Sequence, residues 1–197
     1  MIIEESGLHF RFREDSFVKK YDDSNFYRNY MNQLPEAKGV DFISMEDGRL
    51  VLTEIKNCKG HEADNNWRIF HDNKKVTTSK TSVNTTGRES LDIEVSKKIA
   101  LTIGGLIGTN TKSAGSSSAE ELTKYAEVLV SPAAKAGNKQ ILVILFLEGD
   151  FGCETRRKTT IMMELQRSIK KKLSWLNCVV SVVDSATYQN IQCGIAN

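Results

Sequence analysis

The sequence predicts a single α/β domain over residues 1–197, with a mixed central β-sheet flanked by helices on both faces. Three features predict this fold. An Asp-Gly pair at residues 47–48 separates two β-rich segments. A continuous apolar run at residues 141–147 has the length of a strand buried on both faces. Strands alternate with amphipathic helices in the second half, which is the order of an α/β fold.

The first elements are a strand and a helix. Residues 7–13 alternate apolar and polar side chains, a pattern typical of a half-buried strand. Asp23-Ser24-Asn25 then provides a cap for a helix that ends at Pro35.

The hairpin of residues 40–55 brings charged side chains together. If Asp47 and Gly48 are the central turn residues, the numbers of cross-strand partners add up to 95, and Asp41 faces Glu54. Like charges placed opposite each other are destabilising, so this register requires a compensating cation. Lys56 lies two residues beyond Glu54 and points to the same face.

Apolar residues occupy both faces of this hairpin. Ile43 and Leu52 lie on the face of the carboxylates, whereas Phe42 and Val51 lie on the other. A hairpin covered on both sides is interior, where ionisable groups are seldom unpaired. The charges at its end therefore indicate a functional site, with a solvated strand face as the alternative.

Residues 57–88 form a long segment with little hydrophobic periodicity. Trp67 and Phe70 are candidates for stacking on bases, because they lie among basic residues that could neutralise phosphates: Arg68, Lys74, Lys75 and Lys80. The alternative is that both aromatic residues pin the segment to the core. Cys58, His61 and His71 could contribute to a zinc site, but their spacing matches no standard zinc finger and a fourth ligand is missing.

The remaining elements are three helices and two strands. Residues 91–107 predict a helix, although the alternation over 91–95 would also suit a strand and delay the helix to Ser96. Helices are predicted again over residues 118–131 and 160–176, and strands over 140–148 and 179–183. We expect the strand at 140–148 to lie beside the hairpin.

Composition sets broad limits. The net charge of +2 does not by itself indicate nucleic-acid binding, although basic clusters at residues 156–158 and 170–172 could reach a phosphate backbone. The four cysteines form no CxxC pair and no signal segment opens the chain, so we expect a reducing, cytoplasmic compartment. No apolar run approaches the roughly 18 residues that span a bilayer, which predicts a protein without membrane contact.

Asp41, followed by Glu54-Ile55-Lys56 on the next strand, resembles the D…(D/E)xK signature of the PD-(D/E)xK nucleases, the restriction-endonuclease-like superfamily. The resemblance covers about a third of the chain closely. Gly39-Val40 stands where many members have a proline before the aspartate.

The resemblance implies a Mg²⁺- or Mn²⁺-dependent nuclease that acts on nucleic acid, with DNA expected in preference to RNA. Asp41, Glu54 and Lys56 would be catalytic, and Asp41, Glu54 and the main-chain carbonyl of Ile55 would hold the metal. In the superfamily a helix follows the Glu-x-Lys strand, and its start can carry a residue that touches substrate. Lys97 and Lys98 are therefore substrate-binding candidates, in addition to Trp67.

Several alternatives remain open at this stage. The chain could be a non-catalytic nucleic-acid-binding or assembly module that retains the nuclease fold, or a hydrolase of another phosphate ester. Many such nucleases are dimers, so a homodimer is a further expectation. In the superfamily a helix before the hairpin often supplies an additional carboxylate to the metal; Glu36 is the nearest candidate in sequence, with Asp22, Asp23 and Glu14 as equal alternatives.

Overall fold

The computed structural model describes residues 1–13, 16–73, 89–112, 117–138, 140–188 and 194–195. Its strands are β1 (Ile2–Glu5), β2 (Leu8–Arg11), β3 (Phe17–Lys20), β4 (Phe42–Glu46), β5 (Arg49–Asn57), β6 (Ile141–Glu148), β7 (Cys178–Val183) and β8 (Gly194–Ile195). Its helices are α1 (Asn25–Asn29), α2 (Glu62–Asn65), α3 (Leu91–Lys112), α4 (Ser117–Val130), α5 (Pro132–Lys135) and α6 (Lys158–Lys172). Two 3₁₀ helices cover Met31–Gln33 and Asn66–Ile69.

Five strands form a mixed sheet in the order β3-β4-β5-β6-β7. β4 runs antiparallel to both β3 and β5, whereas β5, β6 and β7 run parallel to one another. A parallel pair needs a crossover connection, and α3 and α4 lie in the connection between β5 and β6. The expected placement of the long apolar strand beside the hairpin is confirmed.

The hairpin has the predicted turn and register. Asp47 and Gly48 have φ values of 49° and 74°, as the two central residues of a type I′ turn require. The pairs Ile43 with Leu52 and Glu46 with Arg49 have numbers that sum to 95.

The two faces of the sheet are covered differently. The buried side chains of α1, α3, α4 and α6 belong to a core on one face, which also contains Ile43 and Leu52. The opposite face, with Phe42 and Val51, packs against Phe10 and Phe12 of the N-terminal segment. β1, β2 and β8 form a second, three-stranded sheet.

The mixed α/β class is thus confirmed. The expectation that helices cover both faces of the sheet is wrong for the described residues. The second sheet supplies the large aromatic side chains that cover the face where a helix was expected: Phe10 makes edge-to-face contacts with Phe42 and Phe146, at centroid distances of 5.6 and 5.1 Å.

Helix α3 begins at the predicted residue and ends later than its sequence pattern indicated. It begins at Leu91, and the carboxylate of Asp92 in its first turn accepts hydrogen bonds from the Ser90 and Ser168 hydroxyls at 2.5 and 2.7 Å. A strand over residues 91–95 is therefore wrong. The helix also continues through Gly104 and Gly105, and Gly105 packs against the buried ring of Tyr21.

Among the helices that the structure describes, none has the length and apolar character needed to cross a membrane.

Candidate active site

The end of the hairpin positions the two acidic residues of the motif. Asp41 directly precedes β4, and Glu54 follows the last β4–β5 pair, Phe42 with Thr53. Glu54 is fully buried within the sheet, on the face that the helices cover, whereas the Asp41 side chain is 17% exposed. The carboxylates are thus brought together as the register predicted, with Asp41 at the more open side.

A lysine of α3 bridges these two carboxylates. The Lys98 Nζ lies 2.6 Å from Glu54 Oε1 and 3.5 Å from Asp41 Oδ1. It supplies the compensating positive charge that the opposed acids require. Of the two α3 lysines considered from the sequence, Lys98 therefore lies in the site. Lys97 is 63% exposed and pairs with Glu89 instead.

Lys56 connects the motif to a second acidic residue of α3. Its Nζ lies 2.7 Å from Glu54 Oε1 and 2.9 Å from Glu94 Oε1. Arg68, in the 3₁₀ helix of residues 66–69, pairs with the other oxygen of Glu94. Lys98, Glu54, Lys56, Glu94 and Arg68 thus form an alternating series of charges, which we call the charge chain.

The pKa values of the charge chain follow from burial and pairing. Burial raises the pKa of Glu54, and Lys56 and Lys98 only partly offset this effect. Burial also acts to raise the pKa of Glu94, but Lys56 and Arg68 outweigh it and bring that pKa to about 2. Burial would lower the pKa of Lys56, whereas Glu54 and Glu94 raise it overall. Lys56 is therefore a fixed cation at neutral pH.

The main chain of Ile55 completes the oxygen-rich edge. Leu50 N–H donates to the Gln140 carbonyl beside β6, so even-numbered residues of β5 direct their main-chain groups toward β6 and odd-numbered ones toward β4. Because β4 has ended at this level, Ile55 N–H donates to Asp41 Oδ2 at 2.6 Å. In a regular strand the carbonyl of a residue points to the same side as its N–H, so the strand geometry directs the Ile55 carbonyl toward this side as well.

These residues fit a hard divalent cation. Glu54 Oε2 is buried without a hydrogen-bond partner among the described residues, which leaves one carboxylate oxygen unsatisfied. Two carboxylates and a carbonyl form an all-oxygen donor set of the kind that Mg²⁺ and Mn²⁺ prefer, with water or phosphate completing the coordination.

No larger metal cluster is present in the described part of the chain. Groups of three or more His, Cys, Asp or Glu side chains placed to hold a metal are absent from it. The zinc set of Cys58, His61 and His71 is therefore not assembled. A metal at the motif would depend on two acidic side chains plus main-chain and solvent oxygens.

Glu36 and Asp22 differ in how they lie relative to Asp41. Glu36 is exposed at a φ of 60°. Asp22 follows Tyr21, whose N–H donates to the Asp41 carbonyl at 3.2 Å. Burial raises the pKa of Asp22, as do the charges of Asp23 and Asp41. The charge of Asp41 therefore acts on Asp22, but the described residues contain no group of three acidic side chains placed to hold a metal.

The sequence did not assign Glu94 to the site, and it indicated Arg68 only as a basic residue near Trp67 and Phe70. The spacing of four between Glu94 and Lys98 places both on one side of a helix, and this was the available signal. It was obscured because residues 91–95 also alternate like a strand. Arg68 gave no such signal, because it comes from an irregular segment.

Trp67 lies next to Arg68 in the same 3₁₀ helix and is half-buried, with its carbonyl accepting a hydrogen bond from Asn73 Nδ2 at 3.0 Å. Phe70, three residues further on, is 46% exposed. Lys74, Lys75 and Lys80, the basic residues considered with them, lie outside the described residues.

The chain was compared with known proteins. A family model described as a family of unknown function, DUF6661, matches residues 24–195. Neither the curated proteins nor the solved structures contain a match to the chain.

Proposed function

The chain belongs to DUF6661, a family of unknown function, and we propose that it is a divalent-metal-dependent nuclease that hydrolyses phosphodiester bonds, in DNA in preference to RNA. One observation carries the proposal. Lys98 bridges Asp41 and Glu54 at one edge of the sheet, Ile55 N–H donates to Asp41, and the ammonium of Lys56 lies on Glu54. This is the arrangement that the resemblance to the PD-(D/E)xK nucleases implies.

We propose further that the fold is restriction-endonuclease-like. The motif extends from Asp41, just before β4, to Lys56 in β5, and α3, the first long helix after the Glu-x-Lys strand, packs on the sheet. α3 also contributes Lys98 to the site, as the resemblance implies for a helix in that position.

The charges of the site suit the binding of a cation together with a phosphate. Asp41, Glu54 and Glu94 carry three negative charges, and Lys56, Lys98 and Arg68 balance them. A bound Mg²⁺ or Mn²⁺ would supply polarisation of the scissile phosphate and a lower pKa for the attacking water. Asp41, Glu54 and the Ile55 carbonyl would hold it.

The two lysines have different roles in this proposal. Lys56 is held between Glu54 and Glu94, so it can orient the attacking water or stabilise charge that develops on the phosphoryl oxygens. Lys98 contacts the oxygens of Asp41 and Glu54 that would hold the cation. With the cation bound, the Lys98 ammonium would be available to pair with a non-bridging phosphate oxygen.

A cleavage panel tests the proposal. Duplex, single-stranded and branched DNA and RNA are incubated with Mn²⁺ and either the natural protein or Lys56→Ala. Cleavage by the natural protein and its loss in the variant, with Lys97→Ala retaining activity as the matched control, is the expected result. No cleavage of any substrate, or equal cleavage by Lys56→Ala, would contradict it.

A non-catalytic module is the second candidate, and one observation favours it. Lys98 and Lys56 already compensate the buried carboxylate of Glu54, so the cluster is charge-satisfied without a metal. For such a module, millimolar Mg²⁺ or Mn²⁺ would leave the melting temperature unchanged, and Asp41→Asn would raise stability. For the nuclease, the metals raise the melting temperature and Asp41→Asn abolishes this increase.

A further inference from the structure

A pocket of about 420 Å³ lies at the carboxyl ends of the parallel strands β5 and β6. Its walls come from residues 62–70, which follow β5, and residues 150–161, which follow β6. The carboxyl ends of parallel strands are where ligands bind in many α/β proteins, and the volume is typical of a ligand pocket.

The pocket adjoins the charge chain. Arg68 contacts Glu94 of the charge chain, and Phe70, two residues later, lines the pocket. Two residues of extended backbone span at most about 7 Å. The pocket therefore lies beside the end of the charge chain that Arg68 forms.

The apolar part of the pocket provides a platform for a flat ring. Ile69, Phe70 and Phe151 line it, and Phe70 is 46% exposed. The guanidinium of Arg156 lies 5.2 Å from the centroid of the Phe70 ring. Aromatic rings and Arg planes are the groups on which proteins stack unpaired bases.

The polar part of the pocket disfavours a phosphate. Glu62 and Asp150 line it, and two carboxylates repel an anion. Both are held in place: Glu62 Oε1 accepts from Asp150 N–H at 3.2 Å, and Asp150 Oδ1 accepts from Gly152 N–H at 2.9 Å. Carboxylates accept hydrogen bonds from exocyclic amino groups of bases, such as N4 of cytosine.

We propose that this pocket binds an unstacked nucleobase of the substrate strand next to the scissile phosphate, and that it favours a base with an exocyclic amino group. The position of the base relative to the phosphate rests on the proposed function. Binding of the base itself requires no cleavage and no metal.

The first test is binding of single-stranded oligonucleotides in EDTA, measured by fluorescence anisotropy. Phe70→Ala should weaken binding roughly tenfold, because stacking on the ring is lost, whereas Phe70→Trp should preserve it. Since Phe70 is exposed, neither change should unfold the protein. Unchanged affinity in Phe70→Ala would overturn the proposal, as would the absence of any oligonucleotide binding.

Trp175→Ala is the matched control. Trp175 is 57% exposed and precedes β7. The first residue of β7, Cys178, pairs with Ile141 at the start of β6. Trp175 therefore lies toward the amino ends of these strands, whereas the pocket lies at the carboxyl ends of β5 and β6. Its loss should leave affinity unchanged, and a decrease equal to that of Phe70→Ala would overturn the assignment to the pocket.

The second test uses Cys153, an exposed thiol that lines the pocket. Its hydrogen bond with Thr155 lowers its pKa, which favours the reactive thiolate. Peptide mass spectrometry follows its alkylation by iodoacetamide. Oligodeoxycytidylate should slow the reaction severalfold and more strongly than oligothymidylate. Equal protection by both would overturn the role of Glu62 and Asp150, and no protection would overturn the pocket assignment.

The two proposals fail separately. Binding that depends on Phe70, without cleavage of any substrate, would support the base pocket and contradict the nuclease. Cleavage that is lost in Lys56→Ala but unaffected in Phe70→Ala, with unchanged affinity, would support the nuclease and overturn the pocket.

Discussion

Glu54 shows how tightly the charges of the site depend on one another. Its side chain is fully buried, and one of its oxygens accepts hydrogen bonds from both Lys56 and Lys98. Burying a carboxylate without compensation is costly, so the ionised form depends on these two neighbours. Removal of either lysine therefore changes the stability of the protein as well as any activity.

Lys98→Ala should lower the melting temperature without metal and make the site more responsive to Mn²⁺. The variant leaves Asp41 and Glu54 without their shared ammonium, and a cation can replace it. We expect the Mn²⁺ concentration at half-maximal thermal stabilisation to fall by roughly tenfold, because a charged competitor is removed. Lys97→Ala is the control and should behave like the natural protein; the same midpoint in both variants would contradict the competition.

Glu94→Gln should show a pH-dependent loss of stability. The pKa of Glu94 is about 2 in the folded protein against 4.5 for the free side chain, so protons bind preferentially to the unfolded chain. Its stabilisation is complete above about pH 4.5 and is lost as the pH falls toward 2. The variant should lose about 3 kcal/mol at pH 7 and progressively less below pH 4.5, as measured by urea unfolding. A loss independent of pH would contradict this explanation.

At the scale of elements, helix α3 connects the site to the rest of the fold. Its first turns supply Glu94 and Lys98, and its later turns pack against Tyr21. Tyr21 lies beside Asp41 in the backbone, since its N–H donates to the Asp41 carbonyl. The packing of α3 on Tyr21 therefore positions Lys98 relative to Asp41.

Gly105→Ala and Gly104→Ala should have opposite effects. A Cβ at Gly105 would lie 2.0 Å from the Tyr21 hydroxyl oxygen, whereas one at Gly104 meets nothing within 4 Å. We expect Gly105→Ala to destabilise by about 1–3 kcal/mol, and Gly104→Ala to stabilise by about 0.5–1 kcal/mol through helix propensity. Thermal and urea unfolding measure both.

Tyr21→Phe tests whether the Tyr21 hydroxyl causes the destabilisation expected for Gly105→Ala. The Tyr21 hydroxyl is buried without a hydrogen-bond partner among the described residues, so its removal should cost little. Combined with Gly105→Ala, it should restore part of the lost stability. Equal destabilisation with and without the hydroxyl would show that the clash is not with that group.

The sequence predicted the hairpin better than the helix. Asp47-Gly48 specifies a turn whose geometry fixes every pair of β4 and β5, so the opposition of Asp41 and Glu54 followed from local rules. Glu94 lies where an apolar alternation and a helical spacing overlap, and tertiary packing on the sheet decided between them. Local pattern could not decide this, nor could it place Arg68 beside Glu94.

At the scale of the whole molecule, two different layers enclose the five-stranded sheet. The apolar residues of β6 predicted burial on both faces but carried no information on what covers each face. The second sheet combines β1 and β2 with β8, from the other end of the chain, and such long-range pairing leaves no local signal. The family match begins at residue 24, after β1, β2 and β3.

Phe10→Ala should be severely destabilising, although Phe10 lies outside the region matched by the family model. Its ring is 1% exposed and packs between Phe42 and Phe146, so its removal leaves a cavity between the sheets. We expect a loss of about 3–5 kcal/mol in the free energy of unfolding. Phe17→Ala is the control: Phe17 is 57% exposed under Lys124, and its loss should cost about 1 kcal/mol or less. Similar losses in both would contradict a structural role for the second sheet.

The parallel pairing of β5 with β6 also determines when Glu54 can be buried during synthesis. Glu54 lies beside Leu145 in this ladder, so the strand that carries the motif gains its second neighbour only after most of the polypeptide has left the ribosome. Pairing between segments so far apart in the chain forms slowly. We therefore expect the burial of Glu54 to come late in refolding, together with that of β6.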